Sequence, residues 1–346
     1  MASDDVETVA DTILQATTLS VILLLGLVLN VIVISVFCCS RLLRAARHNV
    51  FVMNLIVCDI IFLVTVMPAS LVNVLCPHVC ASVMRAGILC KITGFITMFL
   101  CTMAAFTLAV IAIDRYLAVV WIRKHRCIDS KTSSYVVLFV LWVIAALGAS
   151  PPLMLPGDSK FVYEAGTKHC SPSLKTDCWL YWLAVAIGLG STMPTMTFCY
   201  CRIVIEVRRQ RRKVLPGVSV VKPNTSEVEE KSEFWKPGSN KDSNEGNRNT
   251  IAVKSKAAEC SPRTSKKRLE QELAKRSAVM ILAYLMCWSL YTVTHACPAR
   301  LEGPLWLEVT GMWTVFTLTI WNPIIYVFNN RQFMEELTRL RRRQNH

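Results

Sequence analysis

Seven long apolar stretches punctuate the chain, at about 17–39, 50–75, 88–120, 134–155, 179–207, 272–297 and 305–328. Each reaches the roughly 20 residues a helix needs to cross a bilayer. A β-barrel would instead show alternating segments of about ten residues. The third and fifth stretches run on past the membrane as amphipathic helix. The pattern predicts an all-α membrane protein, a seven-transmembrane helix bundle. After the seventh stretch, Phe333, Leu337 and Leu340 fall on one helical face, which predicts a short amphipathic helix on the membrane surface at the cytoplasmic tail.

Residues 208–268 break the pattern. They are rich in Lys, Glu, Ser and Asn, carry Pro216, Pro223, Pro237 and Pro262, and show no apolar period. Such a segment cannot bury a core and is expected to be mostly disordered, with its ends continuing the fifth and sixth helices. The expected organisation is therefore a short outer amino terminus (1–16), helices one to five (17–207), a long third inner loop (208–268), helices six and seven (269–328), and a surface helix and tail (329–346).

Composition agrees with the periodicity. Of 346 residues, 53% are hydrophobic and only 18% charged, against about 25% charged in soluble domains. The net charge of +14 would fit nucleic-acid binding if the basic residues clustered, but they sit in alternate loops. The amino terminus has Asp4, Asp5, Glu7 and Asp11, whereas Arg41, Arg44, Arg47, Arg123, Lys124, Arg126 and Lys131 fill the first two inner loops. Arg208 to Lys213 and Arg341-Arg342-Arg343 follow on the same side. The asymmetry predicts an extracellular amino terminus, a cytoplasmic carboxyl terminus and no nucleic-acid partner. No basic region precedes the first apolar stretch, which is read as an uncleaved anchor. The sequon Asn224-Thr225-Ser226 falls in an inner loop and is expected to stay unmodified. Of fifteen cysteines, Cys76, Cys80, Cys90, Cys170, Cys178 and Cys297 are placed at the outer face, where disulfides form.

Asp59 is nearly alone among charged groups within the spans, and no internal repeat accompanies it, which argues against a transporter. No span holds a His/Asp/Glu set at metal spacing or a convincing Ser-His pair, so neither a metal site nor an enzyme is expected.

Each span does carry one polar or helix-breaking group where hydrocarbon favours none. They are Asn30, Asp59, Arg115 within Asp114-Arg115-Tyr116, Trp142, Pro194, Trp288, and Asn322-Pro323 within Asn322-Pro323-Ile324-Ile325-Tyr326. In order and spacing this set resembles the rhodopsin-like (class A) G-protein-coupled receptors over nearly the whole chain. Phe198-Cys199-Tyr200-Cys201-Arg202-Ile203 is similar to the end of helix five in melatonin receptors, and Asn322 through Phe333 to the same run in opsins.

The resemblance implies a receptor of the plasma membrane that activates a heterotrimeric G protein, with arrestin and membrane lipids as further partners. It implies a signalling switch of Asp114, Arg115, Tyr116, Asn322, Pro323, Tyr326 and Tyr200, the two phenols reaching Arg115 through water in the active arrangement. Glu270 joins it by counting. It precedes Trp288 by 18 residues, as Arg115 follows Thr97 by 18, roughly 27 Å of helix in each case. If Thr97 and Trp288 share a level, Arg115 and Glu270 meet as a resting-state ion pair; otherwise Glu270 belongs to the solvated run around Lys266, Lys267 and Arg268.

The resemblance further implies a polar core of Asn30, Asp59 and Asn322, which holds sodium in many relatives. Here Ala104 and Leu318 replace two usual polar groups, so the relay is expected and the ion is doubtful. Cys90 is implied to bond a cysteine of the second outer loop, with Cys170 favoured over Cys178 because it leaves a normal spacing to helix five. Pairings of the other outer cysteines stay open. The ligand pocket maps onto Thr97, Met98, Cys101, Trp288, Tyr291, Thr292, His295, Met312 and Phe316. Thr97 replaces the Asp of amine receptors and Phe316 the retinal-binding Lys of opsins, so neither an amine nor a covalent chromophore is expected. A neutral or weakly acidic hydrophobic ligand, held by His295 or Thr97, or else a peptide, fits these positions. A receptor-like protein with constitutive or modulatory activity and no ligand of its own is the alternative. Pro194 precedes Tyr200 by six residues rather than the usual eight, which leaves the register of helix five ambiguous by two.

Overall fold

The computed structural model describes residues 2–76, 87–128, 130–154, 161–164, 168–172, 185–214, 262–294 and 305–344. Helix α1 (Ala2–Cys39) starts well before the apolar stretch. No Gly or Pro precedes Gly26, so nothing in the backbone stops the helix at the membrane boundary. It ends at Ser40, whose hydroxyl accepts from the Leu43 N–H at 3.2 Å and caps the short turn Arg41–Ala45. The Asn49 amide donates back to the Leu43 carbonyl at 2.9 Å, which fixes the start of α2 (Asn49–Leu75).

Helix α3 (Ile88–Val120) begins at Gly87, whose φ of 131° suits only glycine. A short helix, Ile122–Ile128, follows. Helix α4 (Lys131–Ala149) is capped by Ser130, which accepts from Ser133 N–H, and gives way at Ser150 to the turn Pro151–Met154. An antiparallel hairpin follows, between the fourth and fifth spans. Strand β1 (Phe161–Glu164) pairs with β2 (His169–Pro172), placing Tyr163 opposite Cys170. The fifth span is described from Val185. A wide π-turn, Ala186–Gly190, leads into α5 (Ser191–Val214).

Helix α6 (Pro262–Thr294) and α5 both continue into the former insert, as expected of its ends. Residues 215–261, with the sequon, lie outside the described residues, as do Cys80, Cys178 and Cys297. The seventh span is two helices, α7 (Leu305–Phe316) and α8 (Leu318–Asn329), rather than one. The surface helix α9 (Arg331–Gln344) starts at Asn330, whose side chain accepts from Phe333 N–H at 3.2 Å.

Within the described residues, Val9–Cys39, Asn49–Leu75, Ile88–Val120, Lys131–Ala149 and Trp306–Phe328 are long and apolar enough to cross a membrane, and Ser277–Val293 is a shorter apolar helix. Helix α3 is the axis, packed against α2, α4, α5, α6 and both strands. Leu63, Met67, Met103, Leu108 and Met196 are fully buried around it. The outward faces of α1 and α4 are apolar instead, with Leu24, Val28, Phe139 and Leu147 exposed, as a hydrocarbon surround requires.

Buried Asn54 ties three helices together. Its amide donates to Thr107 Oγ1 at 3.0 Å, and its oxygen accepts from Trp142 Nε1 at 2.9 Å. Interhelical hydrogen bonds in membranes contribute about 0.6 kcal/mol each and up to about 1.7. Asn54→Leu, which also orphans the indole N–H, is therefore expected to cost about 1–3 kcal/mol, and Trp142→Phe about 1 kcal/mol or less. Thermal unfolding in detergent checks this; equal losses for the two variants would contradict the three-way node.

Candidate functional site

At one end of the bundle, α3, the π-turn before α5, α6, α7 and the hairpin enclose a cavity of about 130 Å³. Eight of the nine expected pocket residues line it: Thr97, Met98 and Cys101 from α3, Trp288, Tyr291 and Thr292 from α6, Met312 and Phe316 from α7. His295 lies outside the described residues. The Cys90–Cys170 disulfide joins the start of α3 to β2 and so holds the hairpin over the opening. Gly94 makes that closeness possible, because a Cβ there would run into the ring of buried Phe161.

The hairpin also contributes residues that the sequence reading missed. His169 and Ser171 of β2 line the cavity, and the His169 ring meets Phe316 edge-on at 6.0 Å. A short loop with no clear strand period gave no sign of them. Among the described residues, no Asp, Glu, Lys or Arg lines the chamber. The hydroxyls of Thr97, Thr102 and Thr292 donate to carbonyls of their own helices at 2.7–2.8 Å, so their protons are already committed. Trp288 Nε1 is buried without a hydrogen-bond partner among the described residues, an open donor at the cavity floor.

Below that floor lies a smaller cavity of about 40 Å³, which shares Cys101, Tyr284, Trp288 and Val315 with the first and reaches Asp59 and Asn322. The Asn322 amide donates to both Asp59 oxygens, at 3.0 and 3.3 Å. Asn30 stands apart from this pair. Its amide donates to the carbonyls of Gly26 and Thr319, both at 2.8 Å. The expected three-way core is thus two links, a side-chain pair and a clamp on the α8 backbone. Ala104 and Leu318 line the same space and bring no side-chain oxygen to it.

The opposite end is charged and closed. Asp114 and Arg115 are each only 5% exposed, and they pair with one another. Asp114 holds more than its neighbour. Arg47 Nη1 lies 2.9 Å and His125 Nε2 3.3 Å from its Oδ1. Arg47 also donates to Ser134 Oγ at 2.9 Å. In sequence, Arg47 and His125 look like solvated loop residues; only the fold brings them to one carboxylate. Arg115 borders a cavity of about 40 Å³ with Ser277, Met280, Ile325 and Tyr326.

The other switch residues surround this knot. The Tyr326 phenol donates to Asn49 at 3.1 Å, and Pro323 is buried inside α8. Tyr116 packs on Phe198 with ring centroids 5.8 Å apart, and Tyr200 is packed in the same cluster. Glu270 is on α6, but its side chain lies outside the described residues. Thr97 and Trp288 line one cavity.

Comparison with known proteins gives this arrangement its place. The model of the seven-transmembrane receptor (rhodopsin family) matches residues 29–326. The chain is 23% identical over 329 residues to the alpha-1A adrenergic receptor of Oryzias latipes, covering 91% of this chain and 64% of the relative. It is 24% identical over 339 residues to the alpha-1D adrenergic receptor of Homo sapiens, covering 94% and 56%. The chain thus spans somewhat more than half the length of these curated relatives. The crystal structure of squid rhodopsin superposes with a TM-score of 0.72 at 21% identity, covering 95% of this chain and 85% of that one; at that identity the likeness concerns the fold. The seven-helix architecture, the ordered span motifs and the family match together show that the chain belongs to the rhodopsin family of seven-transmembrane receptors, multi-pass proteins of the plasma membrane and not enzymes.

Proposed function

We propose that this receptor binds a neutral or weakly acidic hydrophobic molecule in the hairpin-covered cavity and activates a heterotrimeric G protein at the Arg115 end. The observation that carries the ligand class is the absence of any charged side chain from the described cavity lining. A buried cation without a counter-ion pays a desolvation cost of several kcal/mol. The adrenergic relatives are named for amine ligands, but Thr97 and its neighbours offer a protonated amine nothing to pair with. A weakly acidic or carbonyl-bearing guest would instead accept from Trp288 Nε1 and face His169. No ion is needed at Asp59, whose carboxylate is held by Asn322.

The alternating basic loops put the Arg115 end in the cytoplasm and the acidic amino terminus outside. Activation then means that Asp114 releases Arg115 and α6 moves away from α3, opening a cleft for a G-protein helix. Glu270 serves as a second restraint on Arg115. Basic α9 lies on anionic lipid, and Ser and Thr of the third inner loop offer sites for arrestin-directed phosphorylation. The second reading, a receptor-like protein without its own ligand, draws on how small the described cavity is.

Nucleotide exchange on a panel of purified G proteins, with receptor in lipid nanodiscs, decides between them. Arg115→Ala is expected to abolish exchange. Thr97→Trp, which fills the cavity, should cut the response to lipid or extract fractions about tenfold or more while leaving ligand-free exchange in place. A response confined to amines would overturn the ligand class. Exchange that no fraction alters would favour the second reading.

A further inference from the structure

On α1 the side chains left exposed by the bundle form one stripe, Val21, Leu24, Leu25, Val28, Val31 and Ile32. Their helical spacing marks the face turned to lipid. Exposed Cys38 and Cys39 extend the same stripe by about two further turns, through exposed Ser35. Immediately beyond them the chain turns at buried Ser40 into Arg41 and Arg44, the residue type that gathers where hydrocarbon meets headgroups. The two thiols therefore sit at the membrane boundary.

Their direction is fixed from the other side of the helix. Phe37 is 1% exposed and packs on Tyr326 at 5.6 Å and on Phe333 of α9 at 6.4 Å. Val36 is buried in the same cluster. Because these rings lock the last turn of α1, Cys38 and Cys39 cannot rotate inward, and adjacent helical positions give each thiol its own path to lipid.

We propose that Cys38 and Cys39 are S-acylation sites, each carrying a long-chain fatty acyl thioester. The donor is a long-chain acyl-coenzyme A. The cysteine sulfur attacks its acyl carbon, a new C–S bond forms, the bond to coenzyme A breaks, and coenzyme A leaves as the thiol with the proton that cysteine loses. Nothing is oxidised or reduced. The acyl chains lie along the α1 stripe next to the docked end of α9, so modification reinforces the seat of that helix at the signalling end. The proposal rests on the reading above that the Arg115 end faces the cytoplasm, where acyl-coenzyme A is found.

The test is acyl exchange on the full-length receptor expressed in cultured animal cells. Free thiols are blocked, thioesters are cleaved with hydroxylamine, and the thiols released are tagged with a polymer maleimide that adds a countable mass. Two hydroxylamine-dependent tags are expected, with one lost in Cys38→Ser, one lost in Cys39→Ser and both lost in the double variant. Cys201→Ser, which removes another exposed thiol on α5, should lose none. Tags that persist in the double variant, or vanish with Cys201→Ser, overturn the proposal. An impermeant maleimide applied after hydroxylamine separates the two failures. Labelling of Cys38 and Cys39 in intact cells refutes the orientation, whereas labelling only after permeabilisation with no hydroxylamine-dependent tag refutes acylation alone.

Discussion

Asp114→Asn is expected to raise ligand-free nucleotide exchange about tenfold and to lower the thermal stability of the resting receptor. The carboxylate is buried and faces Arg115, Arg47 and His125 together. Removing one member of a buried ion network costs about 3–5 kcal/mol, because the remaining charges lose their compensation. Only the part of that cost absent from the active arrangement shifts the equilibrium, and about 1.4 kcal/mol of differential cost already gives a factor of ten. Arg47→Ala should act in the same direction but less, since Arg47 is more exposed than Asp114 and Arg115 stays in place. Glu270→Ala, tested beside them, reports whether α6 adds a second restraint. An Asp114→Asn receptor with unchanged exchange and an unchanged unfolding midpoint would remove the network from the mechanism.

The second large effect is expected from Cys170→Ser. The disulfide closes 80 residues of chain, for which the loop-entropy relation gives about 4–5 kcal/mol in a random unfolded state. Helices that persist in the bilayer make the true loss smaller, about 2–4 kcal/mol. The functional loss should be larger than the stability loss alone implies. Strand β2 carries His169, Ser171 and Pro172 into the cavity, so freeing it removes one wall. Mild reduction of the native receptor should reproduce the variant, seen as a lowered unfolding midpoint and a lost ligand response. Retention of both after complete reduction would show that the hairpin holds itself in place.

How much could be read beforehand follows from what makes each element. Apolar runs report burial in lipid directly, which is why the spans and the α9 face of Phe333, Leu337 and Leu340 were legible. The pocket positions on α3, α6 and α7 were legible too, because a long helix carries a spacing such as Thr97 to Arg115 unaltered. Convergence of short loops was not. Arg47, His125 and Ser134 meet across three separate segments, and each alone looks like an ordinary surface group. The same holds for Phe161 and His169, whose place depends on the disulfide. The break at Thr317 was hidden as well, since α7 and α8 form one uninterrupted apolar run. Asn54 gives a weak signal beside Asp59 on the same helix, because an uncharged amide costs less in hydrocarbon than a carboxylate.

The wide turn at Ala186–Gly190 has its own consequence. A π-turn takes in one residue more than an α-turn, which rotates everything on its far side by roughly 100°. The face that Val185, Gly188 and Leu189 offer the cavity is thereby set independently of the face that Phe198 and Ile203 offer Tyr116 and Val119. Gaining or losing one residue in that turn would re-aim one wall of the chamber and leave the helix register at the Arg115 end untouched. Chemical taste and message can drift apart in such a chain at the cost of a single codon.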